Sequence, residues 1–579
     1  MNPTTMNARH TNVGQHDSDG ELYADNIYRE TSQSDFFEDI FGLLSPSVVT
    51  EAIYGTSTGT VEQTICHPDT RRQVLTLIED WSNSHKTRDQ IAWLRGPAGA
   101  GKSTIMRTVA RDLDRSGLLL GSFFCCASDP RTSNPNLVIP TLLHQIFRKI
   151  PALLPMVKTK FDVDPYLASK SADVLLEKCL VEPFKTFDQG QELANSLPHV
   201  ILIDGLDEFN GGGEKQALIT ALETLPARLP KFHIRILYAS RPEDHVSSPS
   251  RYNTSFSLNK DLDQANSDVR TFLQDQFKRI RRVFLSDELD DNWPGDDFRE
   301  TVVERGSGRF LFPSIIVGIL GDPSVSDTPK ERVDRILRDF NHLDSLYASV
   351  LKATPGDSLK DVLEIVGFLC LTGAGTRNPC LLDALRGTGP GKTVQRLTQL
   401  HSLLHISSHS VSPHHHTLAE FIFDSKRSGQ FGVHVDKAAL QFKFDSLYAS
   451  FIKKVTSGHL VLDDLEIFGV SLIPYGIKDP AFLDLIYGFE SGTTANRLAH
   501  LNSLLHISED SVSEHHQTFL EFILDPTRSA QFDLHVDEHR LRCKLISALM
   551  ETLAYTSSFP FGMYCLDFLL NTTLILVFP

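Results

Sequence analysis

The run Trp93-Leu94-Arg95-Gly96-Pro97-Ala98-Gly99-Ala100-Gly101-Lys102-Ser103-Thr104 reads Gly-x-x-x-x-Gly-Lys-Ser behind a short, largely apolar stretch, Asp89 to Leu94. This pattern demands a buried parallel strand, a tight loop and a helix, in that order. Gly96, Gly99 and Gly101 permit the backbone angles by which successive N–H groups converge on a phosphate, and a helix starting near Lys102 aims its positive dipole end at the same point. Lys102 then reaches the terminal phosphates, and the Ser103 hydroxyl ligates Mg²⁺. Gly96 to Thr104, with Pro97, Ala98, Ala100 and Thr104 among them, are the candidate cofactor-binding residues.

Downstream, strand-like and helix-like stretches alternate, which predicts a parallel sheet. Leu118 to Cys126 reads as the second strand, and a helix carrying Leu142, Leu143, Ile146 and Phe147 follows. About a hundred residues beyond Ser103 comes His199-Val200-Ile201-Leu202-Ile203-Asp204-Gly205-Leu206-Asp207-Glu208, an apolar strand whose C-terminal end is acidic. Ligands of open α/β sheets sit at such ends. Asp204 is placed to hold Mg²⁺, directly or through its waters, and Asp207 or Glu208 to orient a water for attack on a phosphate. A further strand, Ile234 to Ala239, ends in Ser240-Arg241-Pro242, and Arg241 reads either as a surface charge or as a sensor of the γ-phosphate.

Taken together, Gly96 to Ser103, the strand ending Asp204-Gly205-Leu206-Asp207-Glu208, and Ser240-Arg241-Pro242 resemble the NACHT class of STAND NTPases, in particular fungal NOD-like receptors with a nephrocystin-like P-loop domain. Cys66 to Arg71 resembles the segment that precedes that domain. The resemblance implies an α/β P-loop NTPase with a five-stranded parallel sheet, an α-helical arm and a winged-helix domain. It also implies ATP/ADP and Mg²⁺ as cofactors, an ADP-held resting state, and self-oligomerisation in the ATP state toward an unidentified protein effector. His415 lies where the family has a winged-helix histidine, so the resemblance gives it a contact to nucleotide. The alternative for His415 is a structural role in a histidine-rich patch. Three adjacent histidines, His414 to His416, do not converge on one metal ion.

The resemblance also orders the rest of the chain. Its 579 residues suggest about three or four domains. Residues 1–33 are polar and are expected to form a disordered leader. Residues 34–85 read as a helical linker whose first helix, with Phe36, Phe37, Ile40, Phe41 and Leu44, either meets a partner or docks on the next domain. The NTPase domain is assigned to 86–250 and the helical arm to 251–343. In the arm, Pro313 and Gly318 are expected to interrupt an apolar helix that opens at Gly306-Ser307-Gly308-Arg309-Phe310.

An internal repeat follows. Leu343-Asp344-Ser345-Leu346-Tyr347-Ala348-Ser349 returns as Phe444-Asp445-Ser446-Leu447-Tyr448-Ala449-Ser450, and Arg396 to Ser425 returns as Arg497 to Pro526 with about two thirds identity. Two copies of so long a period mean duplicated domains, not a solenoid. The first winged-helix-like copy is assigned to 344–443 and the second to 444–545, which leaves an apolar tail at 546–579.

A net charge of −17 argues against a protein that coats nucleic acid or an anionic membrane. The eight cysteines form no Cys-x-x-Cys, and the first residues are polar, so a reducing, cytoplasmic setting is expected. Within the tail, 559–579 is about long enough to span a bilayer but carries Asp567 near its middle. A membrane anchor, a packed element and a gene-model artefact all stay open there.

The function expected is that of a slowly hydrolysing, ATP-binding signalling switch, in fungal immunity, non-self recognition or cell death. The alternatives are a nucleotide-bound scaffold without turnover, and a machine-type P-loop ATPase or kinase. Adjacent Cys66 and His67 supply too few ligands for a metal.

Overall fold

A computed structural model describes residues 40–56, 65–84, 89–127, 129–164, 167–186, 199–242, 254–258, 261–284, 289–322, 327–353, 356–371, 378–407, 410–455, 480–487 and parts of 489–540. The leader at 1–33, the tail at 546–579 and His516 lie outside the described residues. Helices named below are α1 Arg72–Ser82, α2 Lys102–Arg115, α3 Val138–Lys149, α4 Gly212–Arg228, α5 Leu262–Phe284, α6 Asp296–Gly306, α7 Leu311–Gly321, α8 Pro329–Asp339, α9 Leu343–Lys352, α10 Gly356–Leu371, α11 Thr417–Phe423 and α12 Lys437–Val455.

Strands β1 Ile91–Arg95, β2 Leu119–Phe124, β3 Val200–Asp204, β4 Arg235–Ser240 and β5 Thr254–Ser257 form a five-stranded sheet in the order β2-β3-β4-β1-β5. Every pairing in it is parallel. Side chains alternate between faces, as the two-residue period of a strand requires. Ile201, Ile203, Ile236 and Tyr238 enter one core with α3 and α4, whereas Val200, Leu202, Leu237 and Ala239 enter another with α1 and α2. Registers set Arg95 beside Ser240 and Ile203 beside Tyr238. The C-terminal ends of β1, β3 and β4 therefore lie nearly level, and the P-loop, the acids and Arg241 emerge along one edge.

Several assigned boundaries need correction. β5 completes the sheet beyond the limit set at 250, because the short, polar Thr-Ser-Phe-Ser buries only Phe256 and gives little strand signal. Residues 34–85 are not a linker in their described part. Ile40 and Leu44 are fully buried in the core under β2, Val49 N–H donates to Thr141 Oγ1 at 3.0 Å, and α1 buries Ile78 and Trp81 on the opposite face. The docking reading of the first helix is the one the structure shows.

In the arm, α7 runs unbroken through both residues expected to interrupt it. Pro313 is its third residue, in the first turn, where a missing N–H leaves no intrahelical bond unmade. Gly318 lets the helix approach Ser402, whose Cα would lie 3.4 Å from an added Cβ.

α9 to α12 share one apolar core with the arm. Within it, hairpin β6 Leu404–Ile406/β7 Val411–Pro413 is matched 101 residues later by β8 Leu505–Ile507/β9 Val512–Glu514. Polar contacts recur at the same shift: Arg427 pairs with Asp344 as Arg528 does with Asp445, and Asp383 accepts from Thr393 N–H as Asp484 does from Thr494 N–H. The limit set at 443/444 falls inside α12, because one continuous helix buries Leu440 and Phe444 toward the first repeat and Tyr448 toward the second.

Candidate functional site

β1 delivers the chain into the loop Gly96–Gly101, and α2 starts at Lys102. Gly99 and Gly101 both sit at positive φ, 75° and 90°. Gly99 is further constrained from the arm. Phe310 N–H donates to Gly99 O at 3.0 Å, and a Cβ on Gly99 would stand 2.8 Å from Leu311 Cβ. Gly99→Ala therefore combines a left-handed backbone, worth about 1–2 kcal/mol, with a clash that pushes α7 off the loop. We expect it to lower nucleotide affinity by about tenfold or more with a modest fall in melting temperature, read by calorimetric titration and thermal unfolding.

Lys102 Nζ donates to Gly96 O at 2.8 Å and Pro97 O at 3.1 Å, lying back along the loop it would clear for a phosphate. Burial lowers its pKa, against the pull of Asp207 and Asp204. Asp204 closes β3 and is buried. Burial raises its pKa, while the Ser103 hydroxyl, Arg107 and Lys102 oppose the rise. Its Oδ1 has no hydrogen-bond partner among the described residues, an arrangement that a divalent cation shared with Ser103 would satisfy. The donor set thus fits Mg²⁺ and a nucleoside phosphate.

Gly205, at φ 75°, turns the chain into the short helix Leu206–Glu208 and sets both acids at the site. Both oxygens of Asp207 are engaged by Arg241: Oδ1 accepts from its backbone N–H at 3.1 Å, and Oδ2 forms an ion pair with Nε at 3.1 Å. Glu208 Oε2 accepts from Ala127 N–H at 2.9 Å. Burial, with Asp204 and Asp207 nearby, pushes the Glu208 carboxyl up to about 7 against that hydrogen bond.

The far wall comes from the repeat region. His415 Nδ1 accepts from Thr417 N–H at 3.2 Å, which places the ring proton on Nε2, and burial holds the ring well below its ordinary pKa. His416 packs beside it, and Arg241 Nη2 reaches both His416 Nε2 and the Glu420 carboxylate. The P-loop, Asp204, Asp207, Glu208, Arg241 and His415 line a single cleft of about 490 Å³. All the sequence-derived site residues line it except Gly96, Pro97 and Ala100, which lie in the loop backbone.

Residues 70–241 match the family model described as nephrocystin 3, N-terminal. The vegetative incompatibility protein HET-E-1 of Podospora anserina is 24% identical over 312 residues, or 53% of this chain. Over this stretch the chain is therefore similar to the nephrocystin 3 N-terminal family and to a fungal vegetative incompatibility protein. It spans 22% of the length of HET-E-1. A solved structure of C. elegans PCH-2 overlaps 52% of this chain and 73% of its own at 14% identity, but with a TM-score of 0.27 the overlap carries no argument.

The family-model match ends at Arg241, so His415, His416 and Glu420 come from outside it. Three residues escaped the sequence reading. Arg71 is buried behind the P-loop, where Nη2 donates to Ala100 O at 3.0 Å and Gly308 O at 3.2 Å, joining the start of the family-model match to the loop and the arm. Its one signal was a position within the Cys66–Arg71 stretch. His416 and Glu420 stand four residues apart, on one side of α11, and that spacing was legible. What they face was not. Among the described residues no three His, Cys, Asp or Glu side chains group as a metal site, six cysteines are free thiols, and no single helix is long and apolar enough to cross a membrane.

Proposed function

We propose that the chain is a nucleotide-operated signalling switch acting in fungal incompatibility or a related self/non-self response. The observation that carries the reading is one cleft shared by three parts of the chain: the P-loop and acids of the sheet, the N-terminus of α7, and the β7–α11 segment. A nucleotide held in such a cleft contacts every part that has to move, so its phosphate count biases their arrangement. The similarity to a vegetative incompatibility protein supports the biological setting.

Bound Mg²⁺–nucleotide supplies a polarised terminal phosphate. The chain's own residues do the rest: the loop from Gly96 to Thr104 binds phosphate, Lys102 neutralises it, Ser103 and Asp204 hold the cation, and Glu208 orients a water. Asp207 positions Arg241 through one hydrogen bond and one ion pair, and Arg241 reads the γ-phosphate. His415, with its proton on Nε2, donates to a diphosphate and ties the first repeat to the resting state. The two repeats, each with a β-hairpin and flanking helices, are winged-helix-like copies in this reading, and among the described residues the first repeat lines the cleft and the second does not.

The test is the size of the purified full chain with ADP and with a non-hydrolysable ATP analogue, by light scattering after size exclusion. The expected result is a monomer with ADP and an assembly with the analogue. A monomer in both, with binding of both confirmed, overturns the switch.

A further inference from the structure

The side-chain cluster where α11 meets the NTPase edge has a role of its own, which rests on the reading of the cleft as a nucleotide site. We infer that Glu420 and His416 form a latch that clamps Arg241 and Glu208 to the first repeat, and that a γ-phosphate opens it by competing with Glu420 for the Arg241 guanidinium.

The geometry supports this from both sides. α11 buries Leu418, Phe421 and Ile422 in the core, which leaves His416, at its N-terminal end, and Glu420 one turn later to meet the NTPase domain. Arg241 spends Nε on Asp207 and Nη2 on Glu420 and His416. A guanidinium has N–H donors only, so His416 Nε2 must accept. Burial beside Arg241 and Lys102 keeps that imidazole neutral, which places its proton on Nδ1, facing Glu208 Oε1 at 3.6 Å. One ring therefore touches the γ-phosphate sensor with one nitrogen and faces the water-orienting acid with the other. With the latch closed, neither Arg241 nor Glu208 is disengaged from the repeat.

Competition follows from charge. Asp207 holds Arg241 from its own domain and stays with it, whereas Glu420 arrives on a separate element and is partly exposed, at 39%. A terminal phosphate offers the Nη2 edge an anion of higher charge than one carboxylate. A diphosphate leaves that edge to Glu420. The latch thus discriminates between the two nucleotides by which anion occupies one side of one arginine. It is also particular to the first repeat, since the second has Glu521 in the place of Glu420 but Gln517 in the place of His416.

The test is amide hydrogen exchange over 411–423 in the nucleotide-free full chain, for the unmodified protein, Glu420→Gln, His416→Ala, Arg241→Ala and the Arg241→Ala/Glu420→Gln double variant. Glu420→Gln is isosteric at a partly exposed position, so folding is retained. The latch predicts exchange faster by about tenfold or more in each single variant, with the double variant no faster than Arg241→Ala alone. Unchanged exchange in Glu420→Gln, or additive effects in the double variant, overturns it. A second measurement, binding of fluorescent ADP and of a non-hydrolysable ATP analogue, should show Glu420→Gln shifting the preference toward the triphosphate by about tenfold. An unshifted preference overturns the competition. If the unmodified chain binds neither nucleotide, the switch reading fails, while the nucleotide-free exchange experiment still decides whether the clamp exists.

Discussion

Replacing Lys102 with alanine is expected to lower nucleotide affinity by roughly 10²- to 10⁴-fold while the chain stays folded. Its ammonium donates to the carbonyls of Gly96 and Pro97 with Asp207 and Asp204 acting on it electrostatically, and those two hydrogen bonds are the ones it exchanges for a phosphate. Two charge-assisted hydrogen bonds at about 1.5–3 kcal/mol each give that range, at tenfold per 1.4 kcal/mol. Lys102 opens α2, a position where alanine is well tolerated, and its side chain takes no part in the apolar cores. Calorimetric titration with ADP and ATP beside a thermal melt checks both halves. A folded variant with unchanged affinity would remove the P-loop from the binding site.

Glu208→Gln is expected to bind Mg²⁺–ATP normally and release phosphate about 10²- to 10⁴-fold more slowly, the usual contribution of a positioned base. The structure separates the two candidate acids. Asp207 has both oxygens committed to Arg241, whereas Glu208 has one on Ala127 N–H and the other facing His416 beyond hydrogen-bond distance. Glu208 is the carboxylate with capacity left for a water. Asp207→Asn should instead loosen Arg241 and blunt the response to the γ-phosphate. Single-turnover phosphate release distinguishes them: a normal rate in Glu208→Gln with a slow one in Asp207→Asn would exchange the two roles.

The nucleotide-binding half of this chain was legible because its chemistry is local. A phosphate loop is written in eight consecutive residues, and an apolar strand ending in acids announces which edge of the sheet carries them. β5 was lost because an edge strand with a single buried side chain has almost no hydrophobic pattern. The supposed break in α7 failed for a positional reason, since proline disrupts a helix interior and not its first turn. Arg71, His416 and Glu420 were invisible for a different reason: each acts on a residue between 29 and 237 positions away, or 175 and 179 in the case of the two α11 residues, and no periodicity encodes such a pairing.

α12 has a mechanical consequence for how the two repeats move together. Its N-terminal part rests on α10, where Phe368 and Phe444 rings meet at 5.0 Å, and further along Asp445 pairs with Arg528 while Tyr448 stacks on Phe522 at 5.9 Å. A helix of 19 residues is a rod about 28 Å long, and it has no joint between the two repeats it carries. Duplication has therefore lengthened a crank without adding an elbow. A turn of about 20° at the α10 end would sweep the far end of such a rod through roughly 10 Å, so a small tilt in the first repeat would become a large displacement in the second.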